Sequence, residues 1–201
     1  MNASITRAPW LPTDMVAALA AEYLAGPSDE RAISAAYWLA DVLRSDSNVF
    51  EVEDESGAEY ILTKSPHRVW APTFNSEPYA DFDEMAAADL AGEDLLVSDL
   101  FHDHPVFDRV DNLRFRAWHD AGHLDHGLGF EPGDELALFW LQARQFTGPR
   151  AASLVAALFS ESVYQLAACM HLGGFPDVQV VRTPGPVARQ LLADMGLAVQ
   201  S

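Results

Sequence analysis

The sequence predicts a mainly α-helical protein with one small β-hairpin. Hydrophobic residues recur at helical spacing along most of the chain, with Gly and Pro at the breaks. Only residues 49–63 alternate apolar and polar positions on either side of a turn signal. With 49% hydrophobic content in 201 residues, the chain can build one good core, and it carries no internal repeat or low-complexity segment. The expected organisation is a single domain, in which N-terminal helices and hairpin (residues 1–80) pack on a helical core (residues 81–201) carrying the polar site.

Thr13 or Asp14 is placed to cap a first helix ending before Gly26, and after Pro27 either Ser28 or Asp29 starts a second running to about Ser45. The two alternating runs flank Asp54-Glu55-Ser56-Gly57, which reads as the hairpin turn. Residues 64–79 hold three prolines and several aromatics, so they are expected to form an ordered loop. The acidic stretch 81–90 reads as a helix with Met85, Ala86 and Leu90 inward, followed by Leu95 on the same side. A loop through His102, Asp103, His104 and Pro105 then leads into a helix that begins near Val110 or Asp111. Beyond Gly127, Gly129 and Pro132-Gly133, Asp134 and Glu135 open a helix over 136–146. Thr147-Gly148-Pro149 separates it from a helix over 150–172, which Gly173-Gly174 and Pro176 stop. Residues 178–181 read as a short strand and 186–195 as a closing helix.

The most informative stretch places His119, His123 and His126 at i, i+4 and i+7, three of the chain's seven histidines within eight residues. At about 100° per residue they share one helix face, where two imidazoles can hold one metal ion. Asp120 sits beside them as a ligand or as a carboxylate that fixes an imidazole tautomer. Leu113, Ala117, Leu124 and Leu128 lie opposite, so the same helix is also consistent with histidines turned to water. His102 and His104 are the nearest additional candidates for metal or substrate contact.

Carboxylate partners are sought elsewhere in the chain. Leu154, Ala157, Leu158, Glu161, Gln165, Ala168 and Leu172 share a face at helical period, so Glu161 and Gln165 interrupt an apolar stripe. A buried carboxylate needs a metal, a cation or a donor network, or else it is protonated. Asp134 and Glu135 are a second source, although acids at a helix N-terminus also serve as plain dipole partners.

The formal net charge of −18 repels phosphate backbones and anionic membrane surfaces, so direct nucleic-acid and membrane binding are not expected. Such a surface suits a protein partner, including the case in which the chain imitates DNA. One cysteine, Cys169, reads as a buried inert thiol in a reducing compartment. The first residues lack a signal-peptide pattern and no apolar run reads as long enough for a bilayer, so a cytoplasmic location is expected.

Three segments carry a resemblance. Asn112 through Phe115-Arg116-Ala117 to His119-Asp120 and Gly122-His123, then Gly133-Asp134-Glu135-Leu136-Ala137, then Glu161 with Gln165, resemble a largely uncharacterised family of phage and prophage proteins. That family shows N-x-x-F-R-A-x-H-D-x-x-G-H, then G-E-x-x-A, then E-T-x-x-Q; this chain has one residue fewer before Gly122. The resemblance implies a shared polar site and a phage or host cytoplasm. His119-Asp120 and Gly122-His123 also resemble, over about ten residues, the metal-binding helix of HD-domain phosphohydrolases. There His104 and Asp177 would fill the outlying ligand positions.

The resulting expectation is a divalent metal (Zn, Mn or Fe) held by His119, His123, Glu161 and one of Asp134 or Glu135. The preferred chemistry is hydrolysis of a small-molecule substrate, with His126, Asp120 or Glu135 moving protons and Arg116 holding an anionic group. One alternative is a helical di-iron or other redox protein. The other is a non-catalytic acidic binding protein in which the His/Glu cluster is structural.

Overall fold

A computed structural model describes residues 11–51, 59–64, 67–74, 76–100, 103–176 and 178–197. The expected hairpin turn, His102 and Asp177 lie outside the described residues. The chain divides into two compact units, Ala40–Phe130 and a second made of Met1–Leu39 with Glu131–Ser201. Helices dominate, as the periodicity predicts: α1 (Thr13–Leu24), α2 (Glu30–Asp46), α3 (Phe82–Ala91), α4 (Arg109–His126), α5 (Pro132–Ala143), α6 (Ala151–Phe159), α7 (Gln165–Leu172) and α8 (Pro186–Asp194). The β content is larger than one hairpin, with β1 (Ser47–Glu51), β2 (Glu59–Thr63), β3 (Val69–Thr73) and β4 (Leu95–Ser98) in a single sheet.

In the unit Ala40–Phe130, the expected hairpin is present: β1 and β2 pair antiparallel, with Val49 opposite Ile61 and Phe50 opposite Tyr60. β3 adds antiparallel to β2, and β4 adds parallel to β3 after the crossover through α3. Residues 64–79 are therefore not only loop. Pro72 hides the strand from a sequence reading, yet β3 pairs with β2 only at Val69 and Trp70, so the missing N–H at Pro72 breaks no rung there. Asp81 caps α3 by accepting from Glu84 N (3.0 Å), and Gly92, at φ 72°, ends it. That left-handed turn detaches Leu95 from α3 and lets it start β4. Met85 is buried as expected, whereas Leu90 is 89% exposed. Alternate strand residues Ile61, Trp70, Leu95 and Val97 meet Met85 of α3 and Leu113, Ala117 and Ala121 of α4, which form the core.

Charge pairs fix α4 in this frame. Asp108 caps it through Asp111 N (2.8 Å). Asp111, 1% exposed, receives Arg44 at both oxygens (2.9 and 2.5 Å) and Arg114 at 3.0 Å. Arg68 binds Asp89 of α3 and Asp125 of α4 (2.7 and 2.6 Å).

In the other unit, α1 packs on α7 and α8. Its first turn has no side-chain cap; Pro12 stands where Thr13 or Asp14 was expected. Asp29 does cap α2, accepting from Ala32 N at 2.9 Å. The helices α6 and α7 are joined without a break by a π-helical turn, Ser160–Tyr164. The continuous stretch Ala151–Leu172 is thus 22 residues, long and apolar enough by composition to cross a bilayer, contrary to the sequence expectation; 61% of its apolar window is buried, as in a core helix. Its wider turn also shifts the helical phase. Leu158 and Ala168 stay in the core, but Leu172, expected on the same face, is 53% exposed.

Residues 178–181 form no strand. They run extended past α1 and the start of α2, with Val180 N donating to Tyr23 Oη (3.1 Å) and Val181 N to Ser28 Oγ (3.0 Å). Glu22 closes the unit, its oxygens accepting from Val187 N (2.8 Å) and Ala188 N (3.2 Å) at the start of α8. Tyr164 Oη donates to Glu22 and accepts from Gly185 N, both at 2.8 Å.

Candidate metal centre

Regular α-helical geometry through α4 stacks residues four apart, and it brings His119 and His123 together with Nε2 atoms 3.2 Å apart. The pair is not turned to water: His123 is fully buried and His119 half-buried. The expectation of an apolar face opposite is met at Leu113 and Ala117, so α4 is buried on both sides. The His119 ring stacks on Phe115 (6.0 Å, 17°), and Phe130 meets His123 edge-on (5.2 Å, 86°). Phe130 is in turn backed by Phe82 (6.2 Å).

His123 Nδ1 lies 3.1 Å from the Leu128 carbonyl oxygen. A carbonyl only accepts, so Nδ1 carries the proton, and in the neutral ring Nε2 presents a lone pair toward His119. Two nitrogens each about 2.0–2.1 Å from a tetrahedral zinc stand about 3.3 Å apart. The observed separation is that edge length, so the two imidazoles could hold a metal ion.

The other expected residues of this unit are placed differently. His126 is the exposed last residue of α4. Arg116 spends its terminal nitrogens on the backbone, Nη1 on Ser98 O (3.1 Å) and Nη2 on Leu100 O (2.5 Å), so it braces the end of β4. Burial lowers the Arg116 guanidinium below its ordinary value, against the opposing charges of Asp120, Glu77 and Asp99. Asp120, half-buried, acts on Arg116 and Tyr79 through its charge. His104 is structural: its Nδ1 accepts from Val106 N (3.1 Å) and Phe107 N (2.7 Å), and its ring stacks on Phe107.

In the second unit, Asp134 and Glu135 stand in the first turn of α5, with Asp134 buried. Glu161, 6% exposed, lies in the π-helical turn and accepts from Gln165 Nε2 at 2.9 Å. It also faces Tyr23, whose hydroxyl is pushed up to about 12 by burial, with the Val180 N–H opposing and Glu161 adding to the rise. Cys169 is only half-buried, and burial pushes its thiol up, which keeps it protonated and unreactive at neutral pH. The sequence reading missed Leu128, whose contribution is a backbone carbonyl and leaves no side-chain signal. No family model, curated protein or solved structure matches the chain.

Proposed function

We propose that the protein is a metal-dependent hydrolase whose ion is held by His119 and His123. The observation that supports this reading most is the 3.2 Å Nε2 separation, with the His123 lone pair directed into it.

Imidazole ligands suit zinc, iron or manganese better than calcium or magnesium. A divalent ion so held supplies an acidified water and polarises a carbonyl or phosphoryl oxygen. The chain's own part is to orient the ligands. The Leu128 carbonyl holds the His123 ring, and Phe115 and Phe130 limit water at the pair.

The same 3.2 Å also fits an N–H···N hydrogen bond, which supports a second reading of the pair as a structural contact. Elemental analysis of the purified protein separates the two. Near-stoichiometric zinc, iron or manganese that disappears in His119→Ala and in His123→Ala is expected, with turnover of a chromogenic phosphodiester or carboxyl ester lost in step. No bound metal in the parent, even after zinc is added back, would leave only the structural pair.

A further inference from the structure

We infer that the turn Gly127–Leu128 is a positioning device that locks the tautomer of His123 and so aims its Nε2 lone pair at the metal position; its link to metal rests on the reading above. The device is built from backbone. Gly127 adopts φ 60°, the left-handed conformation that ends α4, and its N–H donates to His123 O. Leu128 N also donates to His123 O, at 3.1 Å. The peptide so turned points the Leu128 carbonyl back at the His123 ring, 3.1 Å from Nδ1. One residue is thereby gripped twice, by its own carbonyl and by its side chain, from a single two-residue turn.

The buried side chain of Leu128 anchors the turn from the far side, and Phe130 against the ring blocks the tilt that would break the contact. A neutral imidazole has one donor and one acceptor nitrogen. Holding the proton on Nδ1 therefore leaves Nε2 as acceptor before any cation arrives. A carboxylate partner would add charge to the ring; a carbonyl sets the tautomer and leaves the ring neutral.

Gly92 provides a matched control inside the same unit. It ends α3 in the same left-handed conformation, φ 72°, with its N–H on Ala88 O and Asp89 O, and no histidine is part of that cap. The test measures the nitrogen chemical shifts of the His123 ring in the metal-free protein, together with Zn²⁺ affinity. It compares the parent with Gly127→Val, Gly127→Asn and Gly92→Val. Valine is a strong outlier at positive φ, whereas asparagine tolerates it.

The parent and Gly127→Asn are expected to show Nδ1–H, Nε2-bare signatures at His123. Gly127→Val is expected to show mixed tautomers and roughly 10-fold weaker Zn²⁺ binding, and Gly92→Val the parental tautomer and affinity. An Nε2–H tautomer in the parent would overturn the inference, as would equal effects of the two valine variants on shifts and affinity. Should the parent bind no Zn²⁺ while its ring shows the locked tautomer that only Gly127→Val releases, the metal reading falls and the positioning role of the turn stands.

Discussion

His123 in α4 and Glu161 between α6 and α7 are both buried polar side chains, and each has a partner four residues away. They are nevertheless held in different ways. In α4 the helix is regular, the two rings face one another across one turn, and the second ring nitrogen of His123 finds its partner beyond the helix end. Around Glu161 the helix itself has widened to a π-turn, and the contact is to a neutral side-chain amide, Gln165. The first arrangement sets two ring nitrogens 3.2 Å apart, a spacing that could hold a cation. The second gives one oxygen of a buried carboxylate to the Gln165 amide, near the Tyr23 hydroxyl.

The sharpest way to break this contrast is metal affinity. His123→Ala is expected to weaken Zn²⁺ binding by roughly 100-fold, while Glu161→Gln stays within about 3-fold, by titration calorimetry. Parallel losses would make Glu161 a ligand as well. Stability should divide the other way. Gln165→Leu removes a donor from a carboxylate that is 6% exposed and is expected to cost about 2 kcal/mol in urea unfolding, with no change in Zn²⁺ affinity.

A smaller effect belongs to the start of α2. Burial would raise the Asp29 carboxyl, but the N–H groups of Thr183 and Ala32, the Thr183 hydroxyl and Arg182 outweigh it and carry the pKa below the ordinary value. A depressed carboxyl stabilises the fold above its unfolded pKa, and that stabilisation is lost as pH falls through the folded value. Asp29→Ala should therefore cost about 1 kcal/mol at neutral pH, and the difference from the parent should shrink in acid, as followed by circular dichroism. The same stability difference at pH 3 and pH 7 would sink this account.

The finest test reads Glu161 through Tyr23. Because burial is the main cause of its rise to about 12, Glu161→Gln should lower the Tyr23 ionisation only slightly in ultraviolet titration. A return to the ordinary tyrosine value would mean that the charge, not burial, dominates there.

The same contrast explains what could be read from the sequence. The histidine pair was legible because α4 obeys the 3.6-residue period and ends at Gly127; its cap, Asp108, lies two to three residues before the start expected at Val110 or Asp111. The burial of Glu161 was legible from its apolar neighbours. Its π-turn was not, since Ser160–Tyr164 carries no glycine or proline to mark a change of pitch. β3 and β4 were missed because no turn signal pairs them as the one at residues 54–57 pairs β1 with β2; Pro72 argues against β3, and Leu95 of β4 reads with the helix before it. The Leu128 carbonyl was invisible in principle, because every residue has one.

Gly185 has a consequence for how the sequence can vary. It packs so tightly on the Glu22 carboxyl group that a Cβ added there would overlap both carboxylate oxygens. A larger residue at 185 therefore pushes the Glu22 carboxyl group aside, and that movement releases the start of α8 and the Tyr164 hydroxyl together. Substitutions at 185 and 22 act on one shared set of contacts, so their costs should not add.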